Sequence, residues 1–352
     1  MSEFEDAARE MSDPSLGSGA VAELKAAIGL QVDDEGLLTD LAKGLGAVES
    51  RLRDVVRSDV RFVHDAALYL VDAGGKRFRP MFTLLASQFG SEGRDDVVTA
   101  GAAVELVHLA TLHHDDVMDE AVIRRGAPSA NARWDNTVAI LTGDFLFAHA
   151  SRLVAGLGSE ASRIIAETFG ELVTGQMRET VGARDGEDPI DHYLTAIGQK
   201  TGSLIATAGR FGAMLSGAPP EQVAALRRFG ELIGAAFQIS DDIIDIASPS
   251  DELGKAQGTD LREGVRTLPM LYALNDDREN ARLVELLSAP LSEDALIGEA
   301  VELLRDSRGL EHARVTLSGY AQRARSELEA LPDSAARAAC ESIADYLVAR
   351  TH

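Results

Sequence analysis

The chain has 352 residues and is strongly acidic, with 57 Asp and Glu against 34 Lys and Arg and a formal charge of −23. Its 45% apolar and 26% charged residues are those of a globular protein with a sizeable core, not of a collagen-like or low-complexity chain. The charge excludes a general binder of nucleic acid or of an anionic membrane surface, and a single cysteine, Cys340, excludes an internal disulfide and a Cys-based zinc site.

In chain order, residues 1–20 are rich in Ser, Gly, Asp and Glu and are expected to be a disordered tail. The same segment is acidic and has no apolar centre, so it reads as neither a signal nor a transit peptide, and a cytoplasmic location is expected. No run of 18 apolar residues is present, so no membrane span is expected. From residue 21 to 352 nothing marks a linker or an internal repeat, and one all-α domain is expected. Apolar residues recur at helical spacing, as in Leu37, Leu38, Leu41 and Leu45, or Leu226, Phe229, Leu232, Ile233 and Phe237. Gly74-Gly75 marks a turn, Pro80 a helix N1 position, Gly126 and Pro128 a loop, and Pro219-Pro220 another helix start. Residues 183–190 and 247–260 read as loops, the second one mobile. Beyond about residue 275 the pattern is amphipathic helix with a charged outer face and no evident chemistry.

Asp-Asp pairs begin at positions 33, 95, 115, 241 and 276, but only two continue as Asp-Asp-x-x-Asp: Asp115, Asp116, Asp119 and Asp241, Asp242, Asp245. Both follow apolar helical runs. On a helix, residues i and i+4 lie nearly above one another and i+1 is about 100° away, so each motif presents a fan of carboxylates. Such a fan is costly unless a cation sits in it. Oxygen-only ligands suit Mg²⁺, which takes one or two carboxylates and completes its shell with water and substrate phosphate. The other three pairs stand in polar segments and read as solvated acidic surface.

Only five of the basic residues are lysines: Lys25, Lys43, Lys76, Lys200 and Lys255. Lys25 and Lys43 read as ordinary exposed helix residues. Lys76, Arg77 and Arg79 stand at a glycine-led helix N-terminus, a place that favours anions, and suggest a diphosphate cradle. Arg124 and Arg125 follow the first motif closely and bring two guanidinium groups beside it. Lys200-Thr201-Gly202 and Lys255 add two lysines in glycine-flanked or loop settings.

Seven segments in this order resemble the all-trans isoprenyl (polyprenyl) diphosphate synthase family: GGKRFRP at 74–80, LVHLATLHHDDVMDEAVIRRGAP at 106–128, LTGDFLF at 141–147, KTGSL at 200–204, FQISDDIIDI at 237–246, GK at 254–255 and GTDLREGVRTLP at 258–269. The resemblance spans residues 35–345. It implies an all-α bundle around a deep central cavity, usually as a homodimer. It also implies Mg²⁺-dependent head-to-tail condensation of isopentenyl diphosphate with an allylic diphosphate, about three Mg²⁺ ions being held by the two motifs. The allylic C–O bond breaks, the isopentenyl double bond attacks the cation, and a proton leaves to the departing diphosphate.

By the same resemblance Asp115, Asp116, Asp119, Asp241, Asp242 and Asp245 are the metal ligands. Arg124, Lys200 and Lys255 hold the allylic diphosphate, and Lys76, Arg79, His108 and Arg125 hold isopentenyl diphosphate. Thr201 and Gln238 line the reacting centre. Two positions depart from the family pattern. Val265, followed by Arg266, stands where a lysine is usual. His113 stands where an aliphatic residue is usual, and a packed, hydrogen-bonded histidine is expected there.

The helix leading to Asp115 should wall the tail pocket. Thr111, Ala110, Val107, Val104 and Ala103 precede the motif, and none is aromatic. In the family an aromatic residue one turn before the motif closes the pocket. An isoprene unit is about one helical turn long, about 5.4 Å, so an unplugged channel implies a product of C35 to C50, of the kind used as a quinone side chain. The alternative is a pocket floored by Phe145 or Phe147 and a short product, farnesyl or geranylgeranyl diphosphate. A class I terpene cyclase would carry a different second motif and lack the Gly-Gly-Lys-Arg turn. A His-Asp metal phosphohydrolase, prompted by His113-His114-Asp115, would leave the second motif unexplained. A subunit that needs a second component is also compatible with the sequence.

Overall fold

The computed structural model describes residues 31, 33–248 and 257–351, and the expected N-terminal tail lies outside them. The helical periodicities hold, and several helices begin where a side chain or a proline satisfies the first turn. Asp34 caps Leu37 N at 2.8 Å to start α1, Glu35–Val55. α2 spans Arg61–Asp72 and α3 spans Phe78–Ala86. α3 starts two residues earlier than the Pro80 signal predicted, so Arg77 is its cap and Pro80 sits inside the first turn, where its missing N–H costs nothing. α4, Arg94–Met118, is a 25-residue helix, apolar on almost every side, and it carries the first acidic motif. A two-residue antiparallel pair follows, β1 at Ile123–Arg124 and β2 at Ala127–Pro128, and it is the sole strand structure among the described residues. Next come α5, Ala130–Arg133, and α6, Asn136–Gly156, capped by Asp135 at Val138 N.

α7 spans Ser159–Val181. α8, Pro189–Ile197, has Asp188 as cap and proline at N1. It runs into a single π turn, Gly198–Gly202, and then α9, Ser203–Leu215. α10, Pro220–Ala247, carries the second acidic motif. The C-terminal elements are α11 (Thr259–Glu263), α12 (Leu268–Asp276), α13 (Ala281–Leu286), α14 (Asp294–Arg305), α15 (Arg308–Glu327) and α16 (Ala335–Ala349).

Two compact units emerge. One comprises residues up to Ala166, Thr207–Ala224 and Leu331–Ile343; the other comprises Glu167–Ala206, Ala225–Ala330 and from Ala344 onward. The chain passes from one to the other inside α7, α9, α10 and α16, and once more between Ala330 and Leu331, after α15 has ended. The four passages within helices are continuous, so no Pro- or Gly-rich linker marks them in the sequence. In the first unit α4 packs mainly on α6, with α3 and α1 on other sides, around Leu41, Leu52, Leu70, Phe82, Leu85, Leu106 and Leu109. In the second, α12 packs on α15, with Leu268, Ala273, Leu310 and Leu317 buried. Each large side chain fully removed from water contributes about 1.5–3 kcal/mol.

α6 is long and apolar enough to cross a bilayer by length and composition, and only a third of its most apolar window is buried. Its apolar runs are short, being broken by Asp144, His149 and Arg152, and no 18-residue stretch of it is uniformly apolar.

Candidate active site

The first motif stands at the C-terminal end of α4, and Asp119 is the residue that closes that helix. The second stands within the last two turns of α10. A helix C-terminus carries partial negative charge, so both sets of carboxylates sit where the helix itself disfavours them. Asp116 is fully buried, Asp115 is partly buried and Asp119 is exposed. Arg124 Nε donates to Asp116 Oδ1 at 2.6 Å. The other oxygen, Oδ2, is buried and has no hydrogen-bond partner among the described residues. Burial raises the Asp116 carboxyl above its ordinary pKa, and the Arg124 contact only partly offsets this.

The second motif is held differently. Asp242 and Asp245 are buried and Asp241 is exposed. The Tyr193 hydroxyl on α8 donates to Asp242 Oδ2, and Gln238 Nε2 donates to Asp242 Oδ1 at 3.2 Å. Burial, then the neighbouring Asp260, pushes the Asp242 carboxyl well above the usual range. Asp245 Oδ2 accepts the Asp260 N–H at 3.4 Å. Lys200 and Thr201 lie in the π turn, and Lys200 Nζ pairs with Glu179. π turns are rare and recur at functional sites. This one packs against α10 through two glycines: a Cβ on Gly234 would stand 2.6 Å from Gly202 Cα.

The donor set of each motif suits a hard divalent cation, with oxygen ligands alone and buried carboxyls whose charge is only partly offset. No group of three or more His, Cys, Asp or Glu side chains able to enclose a metal occurs among the described residues.

The basic residues divide into two kinds. Lys76 is exposed at the glycine turn. Arg79 Nε is buried with no hydrogen-bond partner among the described residues, and burial lowers its pKa to about 10. His108 is driven well below its ordinary pKa, first by burial and then by Arg79, Arg125, Arg77 and Arg124. His108 is thus a neutral imidazole among four guanidinium groups, whose charge Glu49, Glu105 and Asp116 partly offset. One expectation fails here. Arg77 does not join a phosphate cradle; it turns inward to Glu49, to Glu105 at 2.8 Å and to Val71 O at 2.7 Å. Arg125 is near enough to the first acidic fan for its charge to lower the Asp116 carboxyl, but its hydrogen bonds go elsewhere. It bonds the carbonyls of Leu70 (3.0 Å) and Gly74 and lies 3.8 Å from Glu105. Gly75, at φ +127°, permits this, since a Cβ there would stand 2.7 Å from the Arg125 guanidinium carbon.

Lys255 lies outside the described residues. Arg266 is exposed and donates to Ser288 O at 3.5 Å. His113 is fully buried, but neither ring nitrogen has a hydrogen-bond partner among the described residues, contrary to the expectation of a hydrogen-bonded histidine. Burial lowers its pKa to about 4. His114 ties α4 to α6 through Ile140 O at 3.2 Å. Ala103, Val104, Val107 and Ala110 are buried, and Thr111 Oγ1 donates to His108 O at 2.8 Å.

Sequence reasoning missed Tyr193, Glu179, Glu105, Asp260 and Arg350. The C-terminal segment is also not chemically silent, because Arg350 bonds Asp241. Asp260 lies in a segment already singled out, GTDLREG; nothing in the sequence pointed to the others.

A family model described as polyprenyl synthetase matches residues 60–304. The chain is 54% identical to a nonaprenyl diphosphate synthase of Mycobacterium tuberculosis over 324 residues, covering 92% of this chain and 97% of that protein. It is similar to a geranylgeranyl pyrophosphate synthase of Corynebacterium glutamicum, solved with calcium and isoprenyl diphosphate, at TM-score 0.82 and 49% identity, covering 91% of this chain and 99% of that one. A decaprenyl diphosphate synthase of Rhodobacter capsulatus matches at TM-score 0.82 and 35% identity, covering 90% and 99%. The chain therefore belongs to the polyprenyl synthetase family and is a transferase that extends trans-prenyl chains.

Proposed function

We propose that this transferase condenses isopentenyl diphosphate with an allylic diphosphate and carries the product to long chain, C35 to C50. The reading of chain length is carried by the small and aliphatic run Ala103, Val104, Val107, Ala110 before the first motif. It agrees with the nonaprenyl and decaprenyl synthases among the relatives, while the geranylgeranyl synthase keeps a shorter product as the rival outcome.

Asp115, Asp116, Asp119, Asp241, Asp242 and Asp245 would hold Mg²⁺; the calcium bound in the Corynebacterium glutamicum relative supports a divalent ion. Bound there, the metal would neutralise the allylic diphosphate as its C–O bond breaks. Arg124, Lys200 and Lys255 would bind that diphosphate, so Arg124 and Lys200 would exchange Asp116 and Glu179 for phosphate oxygens. Lys76, Arg79, His108 and Arg125 would bind isopentenyl diphosphate. Arg79, with its unpartnered Nε, has a donor already desolvated for this role. Thr201 and Gln238 would line the reacting centre, and apolar side chains would keep water from the cation. The open apolar face of α6 supports a homodimer in which a second copy covers it. The cytoplasmic location is retained as part of this reading.

The test uses purified protein, Mg²⁺, labelled isopentenyl diphosphate and farnesyl diphosphate, with product length read by mass spectrometry. A C35–C50 product is expected. A product that stops at C20 would overturn the chain-length reading and leave the chemistry.

A further inference from the structure

The last turn of the chain holds a group that the reading above leaves unused. α16 ends at Ala349, and the next residue, Arg350, folds its side chain back onto α10 with only 11% of it exposed. Its Nε donates to Ser240 Oγ at 2.7 Å. Its Nη2 donates to Phe237 O at 3.2 Å and to Asp241 Oδ1 at 2.8 Å. The guanidinium carbon lies 4.6 Å over the Phe237 ring and 5.9 Å from that of Tyr346. Ser240, fully buried, passes its own proton to Leu347 O at 3.0 Å. The C-terminal turn and the start of the second motif are thus tied by one planar cation.

A lone surface ion pair would mean little, because water screens it and both side chains wander. Arg350 differs on each count. It is nearly buried, its plane is set by stacking, and its fork spans a hydroxyl, a carbonyl and a carboxylate at once. A lysine could supply the charge but not that geometry.

We propose that Arg350 is a positioning residue for Asp241, fixing the rotation of that carboxylate so that it meets the divalent cation in one orientation. The proposal rests on the reading of Asp241 as a metal ligand. Removing Arg350 has two consequences of opposite sign. A competing positive charge disappears, which would tighten metal binding. A half-exposed carboxylate also loses its anchor, which would weaken it. At such a carboxylate the charge competition is screened, whereas loss of a ligand's hydrogen-bonding partner costs about tenfold or more in metal affinity. The loss of orientation should therefore dominate.

The experiment titrates Mg²⁺ into the full-length protein without substrate and follows the rise in Tm, with Mn²⁺ binding by electron paramagnetic resonance as a second readout. Arg350→Ala should need about tenfold more metal for half-saturation. Arg350→Lys should stay impaired, and Ser240→Ala, which keeps the charge and removes the Nε acceptor, should fall between. Ser240→Ala and Arg350→Lys carry the test if Arg350→Ala fails to fold. Unchanged or tighter metal binding in the Arg350 variants, or full rescue by lysine, overturns the proposal. Asp241→Asn separates the two layers. If it loses metal while Arg350→Ala does not, only the positioning role fails; if it binds metal like the parent, Asp241 is not a ligand and both readings fall.

Discussion

The two Asp-Asp-x-x-Asp motifs share a pattern and differ in what surrounds them. At the first, the buried Asp116 meets a charged partner, Arg124 at 2.6 Å, on one oxygen and no hydrogen-bond partner on the other. At the second, the buried Asp242 meets neutral donors on both oxygens, Tyr193 and Gln238. A charged partner offsets part of the burial penalty by itself and can be drawn away by phosphate. Neutral donors orient the carboxylate and leave its charge for a cation. The same four-residue spacing thus yields one site whose partner can be exchanged and one whose ligand is held in place.

The widest break in this comparison comes from removing the ligands. Asp115→Ala and Asp241→Ala should each keep the helical circular dichroism spectrum and lose activity by about three orders of magnitude, the effect of several kcal/mol of lost charge stabilisation. Chelation by EDTA should do the same reversibly. Substantial turnover in either variant would remove that residue from the ligand set.

A sharper cut is Tyr193→Phe. It deletes one neutral donor to Asp242 and leaves Gln238 in place. Half-saturation by Mg²⁺ in initial-rate assays should rise about tenfold. Arg124→Ala should instead raise KM for the allylic substrate more than it raises the Mg²⁺ requirement. Equal metal effects in the two variants would mean that the motifs are not held differently after all.

Much of this was legible beforehand, because the legible parts are local. Helix periodicity, the helix start at Pro219-Pro220 and the two acidic motifs depend on neighbours within a few residues. What escaped depends on contacts between distant residues. Arg77 and Arg79 occupy the same short segment, yet Glu49 and Glu105 claim the first and not the second. Nothing local distinguishes them. Tyr193 and Arg350 lie 49 and 109 residues from the carboxylates they serve. The π turn at Gly198–Gly202 has no pattern of its own in sequence, and its close approaches to Gly234 and Gly175 give it a reason.

The residues ahead of the first motif sharpen the comparison in another way, since chain length is assigned to its helix alone. Ala110→Phe should shorten the product by several isoprene units while turnover survives, read by mass spectrometry. Ala110 is almost fully buried, so the larger ring should also cost about 1–3 kcal/mol of stability by overpacking. An unchanged product distribution would sink the channel assignment.

The smallest expected effect concerns the first motif's neighbour, His113. Its ring is fully buried with both nitrogens unbonded, and burial holds its pKa at about 4 against an ordinary 6.5. A base whose folded pKa is depressed binds its proton more readily once unfolded. Its neutral form therefore costs nothing above pH 6.5, and stability is lost as pH falls from 6.5 towards 4. The loss approaches about 3 kcal/mol at the lower end, at about 1.4 kcal/mol per unit. His113→Leu fills the same space without a polar group. In EDTA it should match or exceed the parent's Tm at pH 7.5 by a small margin, and the gap should widen steadily down to pH 5. A gap that stays constant with pH would show that the His113 ring finds a partner in solution. The first motif would then be buttressed by a neutral donor or acceptor much as the second is.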